Sequence, residues 1–108
     1  MIKKNIHQPE EKCALQEILG VIGGKWSMSI IYALFTGKKR FSELERLIPN
    51  ISTRMLVKEL KNMEANGIVI REVFATVPPT VEYTLTTKGE KLEPIINELH
   101  KWGVEYVI

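Results

Sequence analysis

A chain of 108 residues, 44% hydrophobic and 26% charged, has the length of one domain and the composition of a folded protein rather than a disordered one. Its apolar runs are far too short to cross a bilayer, its N-terminus lacks a signal-peptide core, and its one cysteine excludes an internal disulfide. These features predict a cytoplasmic domain over residues 11–108, preceded by a polar, flexible N-terminal arm over residues 1–10.

The positive charge is concentrated in one segment. The whole chain has a formal net charge of +2, whereas residues 38–61 contain seven basic and three acidic side chains, a net charge of +4. A cationic segment in an otherwise near-neutral protein favours a polyanionic partner, and a solvated basic face is the alternative.

Two helices are predicted at the start of the domain. Apolar residues at helical spacing predict the first over residues 11–22, and Gly23 and Gly24 end it. The second follows directly and ends at Gly37, since glycine commonly terminates helices. Its predicted buried side consists of Trp26, Ile30, Ile31, Leu34 and Phe35.

A helix-turn-helix is predicted next. Ser42 and Glu45 form a capping-box pattern that opens a short helix, and the proline and asparagine at 49 and 50 end it. Ser52 is placed to cap a second helix over residues 52–66, with Gly67 at its C-terminal end. Two helices joined by a turn of this length match the helix-turn-helix plan.

The second of these helices carries the predicted DNA contacts. Its apolar and cationic residues fall on opposite faces, with Leu56, Leu60 and Met63 on one and Arg54, Lys58 and Lys61 on the other. Such a helix fits the major groove, where Arg54 is the candidate for a guanine contact and Thr53 for a thymine methyl or a phosphate. Lys58 and Lys61 are expected to lie against phosphates. The alternative is an amphipathic helix whose outer face is only solvated.

Three consecutive cations precede the helix-turn-helix. Lys38, Lys39 and Arg40 are candidates for phosphate contacts at the edge of the groove, and a basic loop that aids solubility is an equal alternative. The full set of predicted DNA-binding residues is Lys38, Lys39, Arg40, Ser42, Ser52, Thr53, Arg54, Val57, Lys58, Lys61, Arg71 and Thr80.

After Gly67 the hydrophobic period changes to two. Residues 68–71 and 81–86 predict two antiparallel strands joined by a proline-stiffened loop, which together form a β-wing. Arg71 and Thr80 are the wing's candidates for DNA contact. A capping-box pattern at Thr87 and Glu90 opens the last helix, which Pro94 is expected to bend or to give a short irregular start.

The predicted fold is α+β and mostly helical: a winged helix-turn-helix with a two-stranded wing and terminal dimerisation helices. The apolar stripes at both ends of the chain have no partner beyond a small core, and a second copy would bury them. The residues predicted at this dimer interface are Leu15, Ile18, Leu19, Ile95, Leu99 and Trp102.

Several segments resemble the HxlR family of bacterial regulators, a winged-helix branch related to MarR-type repressors. They are Cys13, Ile22-Gly23-Gly24-Lys25-Trp26, Arg40-Phe41-Ser42-Glu43-Leu44, Ile48-Pro49-Asn50-Ile51-Ser52, the wing from Val77 to Thr86, and Trp102-Gly103. The resemblance spans Cys13 to Gly103. It implies a homodimer built from terminal helices, with two recognition helices bound to a pseudo-palindromic operator in double-stranded DNA.

Cys13 has two interpretations. Some proteins that resemble this one use a cysteine here to sense oxidants or electrophiles, and a thiol near a helix N-terminus beside Lys12 can be more reactive than usual. The alternative is a small apolar residue without chemistry.

No residue pattern points to catalysis, a metal or a cofactor. His7 and His100 are far apart, and the chain has one thiol, which argues against a structural zinc site. The predicted function is therefore a sequence-specific transcription regulator without enzymatic activity, whose effector, if it has one, the sequence does not identify. A winged-helix module that binds an acidic protein is the alternative.

Overall fold

The computed structural model describes residues 13–108. The predicted arm over residues 1–10 and the first two residues of the predicted first helix lie outside this range. The elements in chain order are α1 (Ala14–Ile22), α2 (Ser27–Leu34), β1 (Lys39–Arg40), α3 (Phe41–Leu47), α4 (Thr53–Ala65), β2 (Val69–Phe74), β3 (Thr80–Leu85), α5 (Thr87–Glu90) and α6 (Glu93–Tyr106). This is the predicted α+β, mostly helical, winged helix-turn-helix.

One core holds these elements together. Helices α2, α3 and α4 contribute their buried apolar side chains to one cluster with the foot of the wing, and Ile96 adds the contribution of α6. The fully buried apolar side chains are Ile30, Ile31, Leu44, Leu56, Leu60 and Met63. Removal of this apolar surface from water is the main force that fixes the three helices.

The sheet has one strand more than predicted. Strands β2 and β3 form the antiparallel wing, with Val69 opposite Leu85 and Phe74 opposite Thr80. The two-residue β1 pairs with the other edge of β3, so the strand order is β1-β3-β2. Two residues are too few to produce a periodic pattern, so the sequence alone does not predict a strand at Lys39 and Arg40.

The predicted cap of α3 is wrong by two residues. Arg40, not Ser42, precedes the helix, and its backbone N–H donates a hydrogen bond to Glu43 Oε1 at 2.8 Å. Ser42 lies inside the first turn, and Glu45 accepts a hydrogen bond from Thr53 instead of closing a capping box. The capping-box prediction at Ser42 is wrong because Arg40 pairs with β3 in the sheet, and this tertiary contact places the start of α3 directly after Arg40.

The caps of α4 agree with prediction. Ser52 Oγ accepts a hydrogen bond from the backbone N–H of Met55 at 3.0 Å, the usual N-cap arrangement. At the other end Gly67 has a φ of +73°, a left-handed conformation that glycine adopts without a steric penalty. Between α3 and α4, Asn50 turns the chain with a φ of +69°. Both ends of α4 are therefore set by local sequence.

The predicted last helix is divided into two helices, and its N-cap lies one residue earlier than predicted. Thr86, not Thr87, is the N-cap, with its Oγ1 accepting from the backbone N–H of Gly89, and it opens the short helix α5. The main helix α6 then starts with Pro94 in its first turn, where a proline needs no hydrogen-bond donor. Of the two effects predicted for Pro94, the structure shows the short irregular start rather than a proline in the middle of a bent helix.

The terminal helices present apolar side chains to solvent. Leu15 on α1 is 66% exposed and Trp102 on α6 is 57% exposed, and the other four predicted interface residues are also exposed. Within residues 13–108, no helix is long and apolar enough to cross a membrane.

Candidate nucleic-acid interface

Helix α4 is amphipathic as predicted. Leu56, Leu60 and Met63 are buried in the core, and α4 packs against β2 and α1, which holds the helix on the domain. The side chains of the opposite face are exposed, and they are Arg54, Val57, Lys58 and Lys61. The structure therefore presents a row of three cations along one exposed helix, with an apolar residue between them.

The side chains at the N-terminus of α4 differ in whether they already form hydrogen bonds within the domain. Ser52 is engaged as the N-cap, and Thr53 Oγ1 donates to Glu45 Oε2 at 2.6 Å. Arg54 has no ion pair or side-chain hydrogen bond with any residue in the described range 13–108. Its guanidinium remains available for bidentate pairing with guanine or phosphate.

The three cations before α3 are engaged inside the domain. Lys38 Nζ lies 3.5 Å from Glu82 Oε1, and Arg40 Nε lies 4.0 Å from Glu82 Oε2. Lys39 Nζ donates to Thr36 Oγ1 at 2.9 Å and to the Gly37 carbonyl at 3.2 Å. Each of the three cations thus has a partner within the domain, and their contact with phosphate stays a prediction.

Glu82 is the residue that sequence reasoning missed. Its side chain is only 18% exposed, whereas those of Lys38 and Arg40 are 60% and 58% exposed, so the carboxylate lies beneath the two cations. Its Oε1 is buried and has no hydrogen-bond donor among residues 13–108, and the 3.5 Å approach of Lys38 is a charge contact rather than a hydrogen bond. The pairing depends on the register that sets Arg40 opposite Glu82, which no local pattern reveals.

The wing carries little charge toward its tip. Arg71 is exposed near its base, and Thr80 is half-buried with its Oγ1 3.4 Å from Thr76 Oγ1. The tip itself is apolar, since Val77 is fully exposed and two prolines follow it. Arg71 is therefore the wing residue best suited to a phosphate.

Cys13 lies directly before α1 and is half-buried. Its backbone carbonyl accepts the hydrogen bond from the Glu17 N–H that opens the helix, at 3.1 Å. No other cysteine occurs in the chain. Among residues 13–108, no group of three or more His, Cys, Asp or Glu side chains is arranged to hold a metal ion.

Comparison with known proteins identifies the domain. The family model described as HxlR-like helix-turn-helix matches residues 21–108. The HTH-type transcriptional regulator YybR of Bacillus subtilis is 50% identical over 101 residues, which cover 94% of this chain and 81% of the relative.

Solved structures agree with this assignment. A MarR-family transcriptional regulator from Porphyromonas gingivalis W83 superimposes with a TM-score of 0.86 at 39% identity, covering 94% of this chain and 99% of the other. The redox regulator HypR in its oxidized form gives a TM-score of 0.83 at 47% identity, covering 89% and 99%. The chain therefore belongs to the HxlR family of helix-turn-helix transcriptional regulators, which are not enzymes, and has a MarR-like fold.

Proposed function

We propose that this regulator recognises a specific, pseudo-palindromic operator as a homodimer, with α4 of each subunit in the major groove. The observation that carries the proposal is the row of Arg54, Lys58 and Lys61 on the exposed face of a helix whose other face is anchored in the core. Arg54, near the helix N-terminus, reads a base, and the two lysines neutralise phosphates.

The homodimer is supported by the apolar surfaces of the terminal helices. Leu15, Leu19, Ile95, Leu99 and Trp102 are exposed in one chain, and exposed apolar side chains clustered on two helices favour burial by a partner. A second copy supplies such a partner by twofold symmetry and doubles the number of recognition helices. Two half-sites then lie about one helical turn apart.

Thiol response is the regulatory part of the proposal. Cys13 precedes α1, so a change at its sulfur acts next to a helix assigned to the dimer interface. The similar protein HypR is described as a redox regulator. An intersubunit disulfide in this chain requires Cys13 to meet its own copy across the twofold axis, because the chain has no second thiol.

Selection of duplexes from a random DNA pool by the purified protein, at near-physiological salt, tests the proposal. We expect enrichment of a pseudo-palindrome with half-sites about one helical turn apart. Enrichment of no sequence, with binding that disappears as salt rises, would leave a general polyanion surface and favour the protein-interaction module instead.

A further inference from the structure

One polar side chain is buried among the core residues of the described chain. Ser27, the first residue of α2, is 2% exposed. Its Oγ donates a hydrogen bond to Glu59 Oε1 on α4 at 3.0 Å, across 32 positions of sequence. This contact joins the start of α2 directly to the recognition helix.

The turn between α1 and α2 lies directly beside the Ser27–Glu59 hydrogen bond. The backbone N–H of Ser27 donates to the Gly24 carbonyl at 3.2 Å. A Cβ at Gly24 would lie 2.9 Å from Ser27 Oγ, closer than side-chain carbons normally approach, and 3.4 Å from Glu59 Oε2, so a side chain there would displace the Ser27 hydroxyl. Glycine at this position therefore leaves room for the hydrogen bond between α2 and α4.

This contact differs in kind from the apolar part of the α4 anchorage. Leu56, Leu60 and Met63 hold the helix by apolar burial, which is non-directional, and the Thr53–Glu45 hydrogen bond holds only its first turn. A hydrogen bond is directional and weakens steeply when its angle changes. A rotation of about 20° moves an atom about 6 Å from the helix axis by roughly 2 Å, enough to break a bidentate base contact.

We propose that Glu59 is a positioning residue for DNA reading: through Ser27 it fixes the rotation of α4 relative to α2. The proposal rests on the proposed function, because α2 packs against α1 and α6, the helices of the inferred dimer interface, and α4 reads the half-site. Arg54 lies five residues from Glu59 along the helix, and its position in the groove follows the rotation that Glu59 sets. The same contact therefore sets the spacing of the two half-sites that the dimer accepts.

The test uses the operator selected by the wild-type protein and compares four variants. Glu59→Ala and Ser27→Ala each remove the hydrogen bond, and Glu59→Gln keeps an oxygen that accepts from Ser27. Glu64→Ala removes the same charge from an exposed position of α4, which makes it the matched control. The measurements are the affinity ratio between the operator and a one-base variant, the affinity for operators with half-sites one base pair closer or farther, and Tm.

We expect Glu59→Ala and Ser27→Ala to lower the discrimination ratio about three- to tenfold, the range of an ordinary net hydrogen bond, and to broaden the accepted spacing. The double variant should lose no more than either single variant, because both remove one interaction. Glu59→Gln and Glu64→Ala should keep wild-type discrimination. All assays are run well below the lowest Tm.

Two results would overturn the inference separately from the proposed function. If the wild type selects an operator but Glu59→Ala changes only Tm, or changes discrimination no more than Glu64→Ala does, Glu59 is a structural contact only. If the wild type selects no operator, the proposed function fails and this inference fails with it.

Discussion

Neutralising Glu82 is expected to strengthen DNA binding, because it frees two cations for phosphate. Its carboxylate lies under Lys38 and Arg40 at 3.5 and 4.0 Å and competes with phosphate for both cations. Glu82→Gln keeps the shape of the side chain and releases them. Each added phosphate contact steepens the slope of log K against log salt by about 0.9, so two released cations add at most about 1.8.

The same relation sets the size of the affinity change. Near 0.15 M salt, one phosphate contact is worth roughly fivefold in affinity, and two are worth about thirtyfold as an upper limit. Fluorescence anisotropy titrations of a labelled duplex between 50 and 200 mM salt measure both the affinity and the slope. A thermal melt of each variant checks that it remains folded.

Glu72 provides the matched control. It faces Glu82 directly across the β2–β3 register and is exposed, so Glu72→Gln removes the same charge from the same sheet without releasing a cation. In a background that carries Lys38→Gln and Arg40→Gln, Glu82→Gln should lose its advantage over Glu72→Gln. Equal effects of the two substitutions in the wild-type background would refute the reasoning, and so would weaker binding by Glu82→Gln.

Three further predictions concern the proposed operator complex. Arg54→Ala should relax sequence preference by about 1–3 kcal/mol at one base pair, whereas Lys58→Ala should weaken binding to all duplexes and reduce the salt slope by about 1. Competition titrations with operator variants distinguish the two effects, and an equal loss of affinity for every duplex in Arg54→Ala would show that Arg54 contacts no base. Leu19→Glu places a charge on the apolar face of α1 and should shift the protein from dimer to monomer in sedimentation experiments, while an unchanged mass would place the interface elsewhere. An oxidant such as diamide should change operator binding by the wild type but not by Cys13→Ser; equal responses would end the sensing hypothesis.

The recognition helix was predictable because its signals are local. The spacing of Leu56, Leu60 and Met63, the Ser52 cap and the terminating Gly67 all act within one or two turns of the helix, and each is present in the structure. The exposed cations follow from the same periodicity, since residues opposite a buried face must point outward.

The errors occurred where distant parts of the chain meet. Ser42 and Glu45 have the spacing of a capping box, but pairing of Arg40 with β3 moves the start of α3, and Glu45 then bonds Thr53. At α5, the extended β3 brings Thr86 rather than Thr87 to the N-cap. A local sequence pattern contains no information on the preceding strand, and this strand determines the residue at which the helix begins.

The ion-pair network of the candidate site was unpredictable for the same reason. The sequence locates Lys38 and Arg40 in a basic segment and Glu82 on a strand more than forty positions away. Only the β1–β3 register brings them together, and it changes three apparently free cations into two paired with Glu82 and one bonded to its own loop. The Ser27–Glu59 hydrogen bond depends likewise on tertiary packing.

Methylation interference on the selected operator tests the central claim most directly, because methylation of guanine N7 blocks the major groove alone. Binding of α4 of two subunits predicts interference at guanines in two major-groove patches, one per half-site, about 34 Å apart on one face of the duplex. Loss of the strongest signal in both patches in Arg54→Ala complexes would assign that base to the arginine. Binding that tolerates N7 methylation throughout the operator would contradict the placement of α4 in the major groove.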